Sequence, residues 1–449
     1  MRELPSEFLR RMRELLGSEE ELQSFLLSYE KSAERGLRLN LRKLFSLSAE
    51  NREKIYVKLT EEWGCSPLPE ASWEEKDGKR YYRELYLDEA RLAALGVRPG
   101  RHPYHEAGLY YMQEPSAMQA VRSLHITESD RVADLCASPG GKSGHAADFL
   151  SMEKGGILLS NEYVGSRART LSSNIERLGI LHSLVLNEDT SRLAERFPAY
   201  FSRVIIDAPC SGEGMFRKDE NAVTEWSPEN VERCIMRQRE IVRNGLKLLA
   251  PGGRLGYSTC TFERGENEGI RDYLLSLNSS LSLVSEKRIF PHRERGEGHY
   301  IAVFAKAGES RREPGRVRLL ERQEGERRSL FPDSLPEPAG LRTLRVGCFK
   351  SRTERKREEP EHGYSHTEPA MSEYPCISLS EEDRRVWDYL TGLEITAERA
   401  ELKFPEEKIR ETFQKGYVLV AVDGAALGFG RYVQGRIKND YPKGLRFTS

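Results

Sequence analysis

"RVADLCASPGGKSGHAADFL", Arg131 to Leu150, is the stretch on which the fold turns. An apolar run suited to a buried strand leads into a turn with two adjacent glycines, Gly140 and Gly141, and then into the start of a helix. Adjacent glycines let the backbone approach a ligand closely, and free amides at a helix start favour an anionic or carboxylate group. The turn has neither the GxGxxG dinucleotide fingerprint nor the GxxxxGK[ST] phosphate loop. Taken alone, it is explained equally well as a plain strand-to-helix connection.

Outward from this stretch the same texture repeats. Between Arg131 and Lys306 the apolar runs "GILLSN", "SLVLN", "RVIID", "GRLGYST", "SLSLV" and "YIAVFA" are separated by helical patterns, the mark of a parallel sheet flanked by helices. One intervening helix is specified from end to end: Ser227 to cap it, Pro228 at its first position, a stripe of Val231, Ile235, Val242, Leu246 and Leu249, and Pro251 with two glycines to stop it. Acidic residues follow the next three strands: Glu162 after "GILLSN", Asp189 after "SLVLN", and Asp207 at the end of "RVIID". Strand C-termini of an open sheet share one edge, where ligands bind. A carboxylate after the second strand can take both hydroxyls of a ribose, and one after the third can reach an adenine amine. This describes an adenosine-bearing ligand without a triphosphate grip, and S-adenosylmethionine fits it best, its methionyl end suiting the glycine turn.

Composition bounds the rest. At 449 residues the chain is expected to hold roughly two to four domains. With 38% hydrophobic and 31% charged residues, no apolar run of membrane-spanning length and no signal peptide, a cytoplasmic protein without membrane association is expected. Seven cysteines with no CxxC pair argue against a disulfide framework and a cysteine-rich zinc site, and the nine histidines form no ligand-spaced cluster, so no metal is expected. The 70 basic and 71 acidic residues nearly cancel, so any basic surface is local.

Two cysteines stand at strand ends beside the expected cofactor edge: Cys210 in "DAPCSGEG" and Cys260 in "YSTCTFERGENE". Carbon 5 of cytosine is a poor nucleophile until a soft nucleophile adds to carbon 6 and creates an enamine-like intermediate. Such chemistry needs a thiolate, a group that engages N3 and a methyl donor. Cys260 or Cys210, Asp207 and the expected cofactor supply the three.

With these motifs in view the chain resembles the Sun-type RNA cytosine-5 methyltransferases, and within them the bacterial RsmF-like 16S rRNA branch. The resemblance rests on "GLYYMQEPSAM" (108–118), "LCASPGGK" (135–142), "SNEYVGSRARTLSSNIERLG" (160–179), "IDAPCSGEGMFRK" (206–218), "YSTCTFERGENE" (257–268) and "GEGHYIAVF" (296–304), in family order, with "GLRLN" before them and "GRIKNDYPKGLRF" after. It implies a Rossmann-like, seven-stranded S-adenosylmethionine-dependent methyltransferase domain whose last strand is antiparallel to its neighbour. It further implies that Cys136, Ala137, Ser138, Pro139, Gly140, Gly141, Lys142, Glu162, Asp189 and Asp207 bind the cofactor. Cys260 matches the nucleophile and Cys210 the cysteine that assists product release. Ser138, where the family usually has alanine, and Glu162, where many relatives have aspartate, are small departures.

The expected organisation is an α/β module over 1–105 that positions RNA, the catalytic domain over 106–307, a charged linker over 308–335 and a PUA-like RNA-binding module over 336–449. The linker reading rests on "GESRREPGRVRLLERQEGERRSL", with seven Arg and five Glu. In the last stretch Arg431, Arg436, Lys438, Lys443 and Arg446 oppose only Asp440, with Tyr432, Tyr441 and Phe447 interleaved. This suits unpaired RNA; Arg436, Lys438, Tyr441, Lys443 and Arg446 are the expected contacts. Cys136 is read as part of the cofactor loop, and Cys65, Cys234, Cys348 and Cys376 as packing residues. The residues leave open whether His299 meets RNA or serves the fold, and whether Lys142 faces the donor, the substrate or solvent. The expected partner is small-subunit rRNA or the ribosomal subunit, and the expected state a monomer. The rivals are a tRNA cytosine-5 methyltransferase and a non-catalytic RNA-binding ribosome-assembly factor.

Overall fold

The chain begins with two helices, α1 (Ser6–Leu16) and α2 (Glu19–Ser28), as the spacing of Phe8, Met12 and Leu15 predicts. Then come β1 (Gly36–Leu39), β2 (Ser66–Pro67), the hairpin β3 (Trp73–Lys76) and β4 (Lys79–Tyr82), β5 (Glu84–Tyr86) and β6 (Tyr110–Gln113). Four of these form a sheet in the order β2-β5-β1-β6. In this computed structural model, which describes residues 4–309, 316–354 and 357–448, the boundary expected at residue 105 therefore moves. Tyr110–Gln113 pairs with β1 along its whole length and belongs to the first module.

The central runs form β7 (Arg131–Asp134), β8 (Ile157–Asn161), β9 (Ser183–Leu186), β10 (Phe201–Asp207), β11 (Leu249–Thr259), β12 (Leu281–Ile289) and β13 (His299–Lys306). The first five are parallel, and β13 runs antiparallel between β11 and β12. Helices cover both faces. On one, Ile241, Val242 and Leu246 pack with Leu193 and Phe197; on the other, Val121, Ala146, Leu171 and Ile175 pack against Val132 and Leu158. The helix Pro228–Leu248 starts as expected, with the Ser227 side chain accepting from the Asn230 amide.

Two features depart from expectation. Residues 310–315 of the expected linker lie outside the described residues, but beyond them β14 (Leu319–Glu324) and β15 (Arg327–Pro332) form a hairpin. The sheet order is β14-β15-β17-β18, with β17 (Cys348–Glu354) and β18 (Arg357–Pro360) completing it. Between β15 and β17, β16 (Thr343–Val346) pairs antiparallel with β9, so the seven expected strands of the central sheet are joined by an eighth from beyond the domain, in the order β12-β13-β11-β10-β7-β8-β9-β16. An extra strand satisfies the open hydrogen-bonding edge of β9.

The last module is a sheet of β19 (Cys376–Leu379), β20 (Ile395–Thr396), β21 (Leu402–Lys403), β22 (Lys415–Val422), β23 (Ala425–Val433) and β24 (Arg436–Asn439). It shares a core with the first module, where Leu37, Leu85 and Tyr104 pack in one cluster with Val386, Tyr389 and Val420. The Tyr104 hydroxyl donates to Asp423 (2.7 Å), and Lys54 pairs with the same carboxylate (2.7 Å). Among the described residues no helix is long and apolar enough to cross a membrane.

Candidate active site

The glycine turn follows β7 directly. Gly140 holds φ 116°, a conformation that a side chain strains, and a Cβ there would press on Leu171 at 3.3 Å. The turn is fastened from outside: the Ala137 amide donates to the Asn161 carbonyl (2.8 Å), Asn174 Nδ2 to the Pro139 carbonyl (2.8 Å), and Ser138 Oγ to the Arg167 carbonyl (3.0 Å). The turn is thus held by both backbone and side-chain hydrogen bonds to the segments beside it. Burial, with the carboxylates of Asp134, Glu162 and Asp207 nearby, pushes the Cys136 thiol far up, which denies it a nucleophile's role.

The three expected carboxylates stand along one edge of the sheet, at the ends of β8, β9 and β10. Glu162, buried after β8, accepts from the Val164 amide (2.9 Å) and lies 3.5 Å from Arg167. Asp189, after β9, caps the helix Thr190–Arg196 through the Ser191 amide (2.8 Å). Asp207 closes β10, with Oδ2 2.8 Å from Lys142 Nζ and Oδ1 accepting from Ser258 Oγ (2.8 Å). Burial alone would raise the Asp207 carboxyl, but the Lys142 charge holds it below its ordinary value. Lys142 therefore faces neither open solvent nor a distant partner.

The two cysteines meet, Cys210 Sγ 3.4 Å from Cys260 Sγ. The hydrogen bond to Cys260 and burial drive the Cys210 thiol well up, so Cys210 keeps its proton beside the Cys260 sulfur. Two buried carboxylates that sequence reasoning passed over lock this geometry. Glu266 accepts from the Ser211 amide (3.0 Å) and hydroxyl and from Gln238 Nε2 (2.7 Å), while Gln238 also donates to the Pro209 carbonyl (3.0 Å). Glu213 accepts from Trp226 Nε1 (3.0 Å) and the Phe262 amide (2.9 Å). Ser211 and Thr261, each one residue past one of the two cysteines, touch through their hydroxyls at 2.9 Å. The motif "ERGENE" holds Glu266, but nothing local says which of its three glutamates turns inward.

The α1–α2 hairpin packs on the aromatic residue that follows each cysteine. Phe8 meets Phe216 edge-on at 5.0 Å, Phe25 meets Phe262 at 5.2 Å, and Arg11 pairs with Glu263 at 2.6 Å. Each such edge-on pair contributes about 0.5–1.5 kcal/mol beyond burial. The apolar face of this hairpin is thus spent on the two cysteine-bearing turns. The other four cysteines are buried, and burial pushes Cys65, Cys348 and Cys376 up to about 12 and Cys234 to about 11, in keeping with packing roles.

The C-terminal basic stretch divides. Lys438 and Lys443 are exposed, Arg436 is exposed beside Glu394 (3.3 Å), and half-buried Arg446 donates to the Tyr441 carbonyl (3.2 Å). Tyr441 corrects the sequence expectation. It is 2% exposed, packs against Tyr389 and His362, and donates its hydroxyl to Glu106 (2.8 Å), so it cannot stack on a base. Tyr432 is buried too; Phe447 stays partly open beside Trp387 (6.0 Å).

Comparison with known proteins gives three matches in order along the chain: the N-terminal domain of 16S rRNA methyltransferase RsmF over residues 4–115, 16S rRNA methyltransferase RsmB/F over 121–305, and the methyltransferase RsmF PUA domain over 376–447. The ribosomal RNA small subunit methyltransferase F of Vibrio parahaemolyticus is 28% identical, with 98% of this chain and 97% of that protein covered. The protein of the same name from Escherichia fergusonii is 29% identical over 92% of this chain and 81% of its own. Among solved structures, a methyltransferase homolog protein from Pyrococcus horikoshii shares the fold at TM-score 0.54 and 23% identity, over 67% of this chain and 95% of its own.

Proposed function

Because the chain belongs to the RsmB/F family of 16S rRNA methyltransferases, we propose that it methylates carbon 5 of cytosine in small-subunit rRNA through a covalent bond to Cys260. The methyl donor is S-adenosylmethionine. The donor set suits it: a glycine turn held open by outside hydrogen bonds for the methionyl end, Glu162 for the ribose, and Asp189 for the adenine amine. When bound it supplies an electrophilic methyl group.

The observation that carries the reading is the convergence of a protonated thiol, a second sulfur and a carboxylate held ionised by a buried lysine at the neighbouring ends of β10 and β11. The base must leave its stack to admit groups from both faces. Cys260 Sγ adds to carbon 6 while the ionised Asp207 carboxylate accepts a hydrogen bond from protonated N3, and carbon 5 becomes nucleophilic. Once carbon 5 carries the methyl group it gives its proton to solvent water, the C5–H electron pair re-forms the C5–C6 double bond, and the C6–S bond breaks to release the Cys260 thiolate. Cys210, its protonated thiol beside the Cys260 sulfur, assists that release. Ser258 and Lys142 fix Asp207, and the Glu266 and Glu213 clamps hold the two sulfurs in register.

Exposed Lys438 and Lys443 suit phosphate contacts, and we place the enzyme in the cytoplasm. Incubation of the purified protein with labelled S-adenosylmethionine and either small-subunit RNA or tRNA tests the proposal. Label recovered as 5-methylcytidine in small-subunit RNA is expected. Transfer to tRNA alone overturns the substrate, and a different methylated nucleoside overturns the chemistry.

A further inference from the structure

One buried side chain at this edge has no role in the mechanism above. His299 opens β13, whose next residue, Tyr300, pairs with Thr259 of β11, so the imidazole stands beside the Cys260 strand end. It is 4% exposed. Its Nε2 finds no hydrogen-bond partner among the described residues and lies 3.8 Å from Asp207 Oδ1. A buried polar atom without a partner is uncommon and costs about 1–3 kcal/mol, which asks for a ligand.

The state of the ring follows from its surroundings. Burial, then the Lys142 charge, outweigh Asp207, Glu114 and a hydrogen bond to the Gly298 backbone, and push the imidazolium down to about 4. The ring is neutral at physiological pH. With Nε2 unpartnered, the Gly298 bond engages the other nitrogen, which carries the proton, and Nε2 presents a lone pair. Asp207 and His299 therefore set two acceptors side by side, a carboxylate oxygen and a ring nitrogen.

Cytosine with a proton on N3 shows two adjacent donors, N3–H and the exocyclic N4 amine. Uracil shows a donor and then the O4 acceptor, whose lone pairs would face that of Nε2. We propose that His299 is a specificity-determining residue that accepts a hydrogen bond from the N4 amine of the target cytosine while Asp207 engages N3. This rests on the cytosine-5 reading given under Proposed function. A site built to bond a polar group rejects an analogue lacking it because the site's own atom is left unpaired.

The test is a chemical double-mutant cycle. Once the methylated cytosine is mapped, RNA oligonucleotides carry either cytidine or the riboside of 2-pyrimidinone, which lacks the 4-amino group, at that position. Affinities are measured by filter binding in a Cys260→Ala background, so that no adduct forms. With His299 intact, cytidine RNA is expected to bind roughly ten- to hundredfold more tightly. His299→Phe should bind the two RNAs equally, and His299→Gln, whose amide oxygen can accept, should restore a preference. The ratio is taken within each variant, so a loss of folded protein cancels. Undiminished discrimination by His299→Phe overturns the inference. If the unmodified enzyme makes no 5-methylcytidine, it is the cytosine-5 reading that fails instead.

Discussion

Replacing Asp134 by Asn should make the protein progressively more stable than the parent as the pH rises. Asp134 ends β7 immediately before the cofactor turn and is fully buried. Its Oδ2 accepts from Ser143 Oγ (2.8 Å), which in turn lies 2.8 Å from Ser160 Oγ; its Oδ1 has no partner among the described residues. Burial pushes the carboxyl from 3.8 up to about 7, the Ser143 bond opposing this in part and the Asp207 charge adding to it. The folded value lies above the unfolded one, so the contribution to stability is fully present below pH 3.8 and is lost as the pH climbs through 7. The displacement is worth about 4 kcal/mol, at about 1.4 kcal/mol per pH unit. Asn keeps the shape and an acceptor for Ser143 but does not titrate. Urea unfolding of both proteins at several pH values between 4 and 8 should show the difference in unfolding free energy moving by about 4 kcal/mol in favour of the variant. A difference that stays constant across that range would refute the reasoning.

Other outcomes follow from the same geometry. Lys142→Met removes the cation that keeps Asp207 ionised, so the acid limb of the kcat/KM profile for RNA methylation should move to higher pH and activity near neutrality should fall by roughly tenfold or more; an unmoved limb contradicts the pairing. Gly140→Ala must hold φ 116°, at a cost of about 1–3 kcal/mol, and calorimetry should show weaker S-adenosylmethionine binding. Tyr441→Phe should lower the unfolding free energy by about 1–3 kcal/mol yet leave RNA affinity alone, because its hydroxyl serves Glu106. Lys443→Ala should do the reverse, weakening RNA binding and reducing its salt slope by about one.

The sequence discloses most where the cause is local. The parallel strands are apolar runs that need no partner to be recognised, the Ser227–Pro228 helix start is a capping signal, and Asp423 with Gly424 supplies the two positive φ values, 44° and 85°, that a tight hairpin turn demands. The cysteines and the carboxylate series are legible because each sits one short turn from such a strand. What stays hidden depends on partners far along the chain. Thr343–Val346 reads as a short strand, but nothing in it names β9 as its neighbour. The Arg and Glu residues that suggest a solvated linker instead alternate along a hairpin, with Leu330 and Phe331 turned inward. Tyr441 looks like a stacking residue because basic residues surround it, whereas its ring fills the core shared by the first and last modules. The inward turn of Glu266 is equally invisible, because its donors, Ser211 and Gln238, come from two other motifs.

The division of labour between the sulfurs is the central claim, and trapping the RNA adduct tests it most directly. Cys210→Ala and Cys260→Ala proteins are incubated with small-subunit RNA and S-adenosylmethionine and run on denaturing gels. With Cys210 absent the thiol 3.4 Å from Cys260 Sγ is lost, so Cys210→Ala should accumulate a covalent complex that survives denaturation, while Cys260→Ala should form none and transfer no methyl group. An adduct formed by Cys260→Ala but not by Cys210→Ala would contradict the account and exchange the two roles.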